Sequence, residues 1–185
     1  MDSLKNVSSL LLHCCCAPCS CSIIERLLRH QVRFEFFFYN PNVHPQAEYD
    51  LRKNEIVRYA AKMGVPCLEE MYDPDRWDEV VRGHEADPER GSRCSLCFEM
   101  RLLKTAEVAA SRGYSVIATT LAISRRKNCA QVAEAGRRAA AAVPGITYLD
   151  CNWRKQGGVQ RMDEIVQAEG FYRQQYCGCH YSQKC

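Results

Sequence analysis

The chain has 185 residues, 46% of them hydrophobic, with 25 basic against 22 acidic side chains and a net charge of +3. That is enough apolar content for one core, and too little charge to require or exclude an anionic partner. No apolar run approaches the roughly 18 residues of a membrane span, and Met1 to Ser9 lacks the basic start and apolar stretch of a signal peptide. A cytoplasmic protein with no membrane partner is expected, folded as a single metal-binding catalytic domain over residues 1–185.

In chain order, Leu10 to Leu12 reads as a short buried strand and Ser22 to Arg29 as a helix. Phe34 to Tyr39 follows as a second strand, Pro45 to Met63 as a second helix, and Val65 to Leu68 as a further strand. Asp73 to Arg93, rich in charge, Pro and Gly, reads as a long loop with a helical turn at Trp77 to Arg82, of a length often used for binding. Helices at Ser95 to Arg112 and Cys129 to Ala142 alternate with strands at Val116 to Thr120 and Ile146 to Leu149. Residues 170–185 form a C-terminal cysteine segment expected to return to the site. Strand–helix alternation predicts an α/β fold with an open parallel sheet and helices on both faces.

Ligands of such sheets bind beyond the carboxyl ends of the strands. That edge is predicted to carry His13, Cys14, Cys15, Cys16 and Cys19 after the first strand, Asn40, Asn42 and His44 after the second, and Thr119, Thr120 and Ser124 after the strand at 116. The basic groups at Arg125 to Lys127, at Arg137 and Arg138, and at Arg154, Lys155 and Arg161 read first as solvated surface.

The 13 cysteines are not scattered evenly. HCCCAPC, RCSLCF and YCGCHYS carry Cys-x-x-Cys at Cys16 and Cys19 and at Cys94 and Cys97, and Cys-Gly-Cys at Cys177 and Cys179. Two thiolates so spaced can grip one metal or cluster from a single turn. Without an export signal the thiols are expected to be reduced, so clustering points to metal or catalysis rather than disulfides. Cys67, Cys129 and Cys151 stand alone and read as small core residues, and Cys14 is the member of the triplet least suited to ligation. A structural zinc site is disfavoured because the two Cys-x-x-Cys pairs lie more than seventy residues apart. With Cys15, the candidate thiolates number seven, more than one four-ligand centre needs, which suggests a four-cysteine iron–sulfur cluster with a second metal beside it. A Cys–His nucleophile would not need the excess thiols. The sequence carries no GxGxxG after a strand, no GxxxxGK[ST] and no HExxH.

LLHCCCAPC, NPNVHPQAEYDLR, GSRCSLCFEMRL, TTLAISRRKN and YRQQYCGCHYS, in this order from residue 10 to residue 182, together resemble the QueH-type epoxyqueuosine reductases. The resemblance implies an adenine nucleotide alpha-hydrolase-like (Rossmann-like) fold. It also implies an oxidoreductase of tRNA queuosine biosynthesis that reduces the epoxide of epoxyqueuosine at the wobble position. It implies a 4Fe-4S cluster and an adjacent mononuclear iron held by Cys15, Cys16, Cys19, Cys94, Cys97, Cys177 and Cys179, with no cobalamin and with an external one-electron donor. Arg125 stands where the family pattern, closer to TTL-x-x-SP, has proline, and position 19 is Asp in some members.

For that reaction, His13, His44, Tyr176 and His180 are the candidate proton donors. Asn40, Trp77, Glu85, Arg93, Thr119, Thr120, Ser124, Arg125, Arg126, Lys127 and Arg173 are the candidates for gripping an unstacked anticodon base and its flanking phosphates. Two other readings compete: an ATP-dependent tRNA-modifying enzyme of the same fold, for which HCCCAPC stands where a pyrophosphate loop belongs, and a non-catalytic metal-binding module.

Overall fold

The computed structural model describes residues 4–183. Cys185 therefore lies outside the described residues, as does the very start of the segment read for a signal peptide. Five strands form a parallel sheet in the order β3-β2-β1-β4-β5. They are β1 (Ser9–Cys14), β2 (Arg33–Phe38), β3 (Cys67–Glu69), β4 (Val116–Thr119) and β5 (Thr147–Tyr148). In register, Leu12 of β1 lies between Phe36 of β2 and Ala118 of β4, so the central strand pairs on both sides.

Alternation along β1 divides the core. Leu10, Leu12 and Cys14 join Ile23, Ile24, Leu27, Ile56 and Ile165 in one layer, whereas Leu11 packs with Phe37, Ala106, Ala109 and Ile117 in the other. The helices are α1 (Ala17–Arg29), α2 (Gln46–Lys62), α3 (Pro74–Val80), α4 (Ser92–Ser111), α5 (Cys129–Ala141) and α6 (Gly158–Glu169). α1 packs on α6, and α4 on α5. Gly136 of α5 lets Tyr148 in: a Cβ there would stand 2.4 Å from its ring.

Two expectations change. The helical turn expected at Trp77 to Arg82 within the loop of residues 73–93 is a two-turn helix that starts earlier, at Pro74: Asp73 caps α3 by accepting from the Arg76 amide (3.1 Å), and Trp77 and Val81, four residues apart, bury themselves beside Cys97 and Cys179. The charge and proline of this stretch hid that anchor. α6 was not anticipated, because it starts at a glycine pair and buries only Ile165 and Val166. No described helix is long and apolar enough to cross a membrane.

Candidate metal centre and active cleft

β1 runs out at Cys14, and α1 begins three residues later with Pro18 in its first turn. This tight strand-to-helix turn brings the sulfurs of Cys15, Cys16 and Cys19 within 4.8 Å of one another, with Cys15 Sγ 3.7 Å from Cys16 Sγ. All three thiols are free. They sit at the amino end of α1, whose first turn carries no acidic side chain, so its unpaired amides favour thiolate. Hydrogen bonds from Cys16 and Cys19 hold the Cys15 thiol well below the usual range, while sharing that proton network pushes Cys16 up to about 12 and raises Cys19. Cys14 points elsewhere: its thiol donates to Phe37 O (3.5 Å), and burial raises its pKa.

A second set of thiols comes from two other segments. Cys94 and Cys97 lie in the first turns of α4, where the Arg90 amide donates to Cys94 Sγ (3.3 Å) and Arg101 Nη1 approaches Cys97 Sγ (3.8 Å). Cys177 and Cys179 flank Gly178, whose φ of 125° few other residues adopt. A Cβ on Gly178 would meet Arg52 Nη1 at 2.9 Å and Val43 Cγ2 at 3.0 Å. Cys94, Cys177 and Cys179 line one niche, and Cys177 also lines the adjoining cleft with Cys15, Cys16 and Cys19.

The C-terminal segment is tied down by backbone and guanidinium. The His44 amide donates to Gly178 O (2.8 Å), and Arg52, 4% exposed, donates to Cys177 O (3.0 Å) and Tyr176 O (3.3 Å) while its Nε bonds Glu48 (2.7 Å). The loop after β4 is fastened from two sides. Arg154 donates to Ile123 O, Ser124 O and Lys127 O, and Arg90 donates to Arg125 O and Arg126 O. Burial alone would lower the Lys127 pKa, but Cys177, Cys15 and Cys19 outweigh it and hold the ammonium above the usual lysine range. Lys127, Arg52, Arg101 and Arg126 thus surround the thiols with positive charge.

The expected site residues separate into three groups. Tyr176, Asn40, Ser124, Arg126 and Lys127 line the cleft; the Tyr176 hydroxyl donates to His44 O, and Asn40, 1% exposed, is held by bonds to Cys14 O and Arg101. A second group stands behind the cleft. His13 is fully buried, with Nε2 donating to Tyr39 O (3.1 Å) and Nδ1 facing the Thr119 hydroxyl (2.9 Å). Burial lowers its pKa to about 3, so it is a neutral, fully bonded ring and not the proton donor expected of it. Thr119 caps the turn at Leu121 and Thr120 supports Cys15, whereas Arg93 lines the niche of Cys94, Cys177 and Cys179 while its Nη1 donates to His84 O and Glu85 O. Trp77 is 1% exposed, which corrects the expectation that it presents a face to a base.

The third group is peripheral. His44 lies off the thiol cleft, against Trp77 and His180. Glu85, Arg125 and Arg173 are exposed, with Arg125 paired to Asp163 (3.3 Å). The surface reading of the other basic groups holds for Arg137, Arg138 and Arg161, each paired with acidic neighbours, but not for Arg154. Arg52 and Arg101 were missed as site residues. Their signal was a charge on the buried stripe of a helix, Arg52 between Tyr49 and Ile56 and Arg101 between Phe98 and Leu102.

Three segments deliver thiols to this site, and the chain that carries them is similar to known proteins over nearly its whole length. The family model described as epoxyqueuosine reductase QueH matches residues 10–185. The chain belongs to the epoxyqueuosine reductase QueH family. It is 49% identical over 177 residues to the epoxyqueuosine reductase QueH of Acinetobacter baylyi, covering 96% of this chain and 81% of that protein. The Haemophilus influenzae QueH is 48% identical over 95% of this chain and 71% of its own length. The QueH of Thermotoga maritima is 32% identical over 95% and 91%. Membership makes this chain an oxidoreductase of the QueH kind, with a cysteine group able to bind metal.

Proposed function

We propose that this chain, acting as one catalytic unit in the cytoplasm, reduces the epoxide of epoxyqueuosine in the tRNA wobble nucleoside to the alkene of queuosine. The observation that carries the reading is the convergence of thiols from three segments: Cys15, Cys16, Cys19 and Cys177 line one cation-lined cleft, Cys94, Cys177 and Cys179 line the adjoining niche, and Cys97 packs in a small core with Cys179. Opening an epoxide to an alkene consumes two electrons and two protons and releases the oxygen as water. Side chains alone supply protons and charge but not the electrons, so a redox centre is needed.

The donor set fits one. Cys94, Cys97, Cys177 and Cys179, which interact electrostatically, would hold a 4Fe-4S cluster, and Cys15, Cys16 and Cys19 would hold an adjacent iron. Such a pair supplies single electrons from an external donor and a Lewis acid for the departing oxygen, with no cobalamin.

The protein's own groups do the rest. Arg52, Arg101 and Lys127 offset the charge of the thiolates, which lets several of them gather in a half-buried cleft. The Lys127 ammonium lines that cleft and is the group placed to deliver a proton to the substrate oxygen, while Tyr176, whose hydroxyl is committed to His44 O, forms part of the wall. His13 keeps β1 and the turn after β4 in register through Tyr39 O and Thr119, and so positions the thiols of the following turn. Exposed Arg126 beside the cleft, with Arg125 and Arg173 beyond it, suits the phosphates of an anticodon strand.

The test is anaerobic purification, iron and sulfide analysis, paramagnetic resonance of the dithionite-reduced protein, and nucleoside mass spectrometry of epoxyqueuosine tRNA after incubation with reductant. The expected result is about five irons and four sulfides per chain, with conversion to queuosine. Zinc without sulfide, and unchanged tRNA, would overturn the reading.

A further inference from the structure

Outside the thiol cleft, a second group of metal-binding side chains comes together, and the reductase reading gives it no task. One ring nitrogen of His44, one of His180 and a carboxylate oxygen of Asp78 lie within 4.8 Å of one another. They come from three places: the loop after β2, the turn at residues 180–182, and α3. His180 Nε2 stands 3.8 Å from Asp78 Oδ1, and His44 Nε2 is buried with no hydrogen-bond partner. A buried ring nitrogen left unpaired is costly, and binding a cation is one way to satisfy it.

We infer that His44, Asp78 and His180 form a sulfur-free site for a divalent transition-metal ion of the zinc or ferrous class. Two imidazoles and one carboxylate are a ligand set that such ions accept, leaving a fourth position for water. Ligand atoms around tetrahedral zinc stand roughly 3.3 Å apart for bonds of about 2.0–2.1 Å, so small side-chain rotations bring donors already within 4.8 Å of one another to that spacing. Two of the ligands provide an entry path, since Asp78 is 46% and His180 36% exposed. The ion joins α3 to the segment that carries Cys177 and Cys179, with the His44 amide already bonded to Gly178 O beside it. The competing arrangement is a metal-free aromatic cluster, in which His44 meets His180 edge-on at 4.8 Å and Tyr181 meets His180 edge-on at 4.0 Å.

The two are separated with anaerobically prepared protein that retains its own iron, equilibrated against buffered zinc chloride. Bound zinc is counted by mass spectrometry, and its neighbours are read by X-ray absorption at the zinc edge. The expected result is one additional zinc per chain with nitrogen and oxygen neighbours, imidazole scattering and no sulfur. Loss of an outer partner alone weakens metal binding about tenfold or more, so Asp78→Asn and His180→Gln should each weaken zinc by at least that factor. Asp78 lies on the solvent side of α3, so Asp78→Asn keeps the test valid if the histidine variant fails to fold. Zinc held by sulfur alone, equal zinc binding in wild type and Asp78→Asn, or no bound zinc would each overturn the inference. Because the scattering atom identifies the site, the outcome is independent of whether the thiols carry a cluster.

Discussion

Replacing Arg52 by methionine tests whether the C-terminal thiols depend on α2 for their position. The guanidinium makes two charge-assisted bonds to the carbonyls of Cys177 and Tyr176, at 3.0 and 3.3 Å, and its Nε bonds Glu48 at 2.7 Å. Glu48 in turn accepts from the Tyr172 hydroxyl (3.1 Å), so one carboxylate and one guanidinium clamp residues 172–177. Bonds to a charged group contribute roughly 1.5 kcal/mol each at the low end, so losing the pair to the two carbonyls costs about 3 kcal/mol of local stability. At about 1.4 kcal/mol per tenfold, the segment should open about a hundredfold more often. Hydrogen exchange read by mass spectrometry should therefore speed up in residues 172–183 and stay unchanged in β1. Iron content should fall with it, because Cys177 and Cys179 leave the site together. Arg52→Lys, which keeps the charge but loses the fork of donors, should fall between wild type and methionine. Unchanged exchange and iron in Arg52→Met would refute the reasoning.

Four further outcomes are expected. Cys94→Ala and Cys177→Ala should each abolish turnover and change iron per chain, whereas Cys129→Ala, whose thiol only donates to Ala122 O, should keep its iron; full activity in Cys94→Ala or Cys177→Ala removes that residue from the ligand set. Gly178→Ala forces a side chain at φ 125° into Arg52 and Val43, which costs about 1–3 kcal/mol locally, and should lower iron retention without lowering the melting temperature of the sheet as measured by circular dichroism. Affinity for tRNA should fall with log salt by about 0.7 per phosphate contact, and Arg126→Ala should make the slope shallower; a salt-independent affinity would contradict the phosphate contacts. Glu25, paired with Arg161 at 2.7 Å, has its pKa lowered chiefly by that hydrogen bond. Its stabilising effect is therefore full above the unfolded carboxylate pKa and is lost as pH falls through the lower folded value. The melting temperature of Glu25→Gln should lie slightly below wild type at pH 7, and the gap should shrink at pH 4.

The parallel sheet was legible because Leu10 to Leu12, Phe34 to Phe38 and Val116 to Thr119 are almost wholly apolar runs, broken only by Glu35 and ending in Thr119, as strands covered on both faces tend to be. The cysteine spacing likewise pointed to the strand-to-helix turn where Cys15, Cys16 and Cys19 meet. What was hidden depends on contacts distant in sequence. His13 looked like a proton donor beside thiols until both its nitrogens were seen to be used by Tyr39 and Thr119. Trp77 looked available because its neighbours are charged, yet it fills a small core with Val81 and Cys179. Arg101 reads as an ordinary helix charge, and only the fold brings Asn40, 61 residues away, to its guanidinium. α6 buries too few side chains to leave a periodic signature.

The strand order gives the cleft two halves of unequal permanence. β1 is hydrogen-bonded along both edges, so Cys15 and Cys16 continue directly from the part of the molecule that unfolds last. Residues 171–179 belong to no helix or strand and depend on side chains reaching across from α2. Partial unfolding should therefore proceed in a fixed sequence, with the C-terminal thiols departing as a unit while the first three stay gathered. A protein built this way should be able to open half of its site while the sheet stays paired.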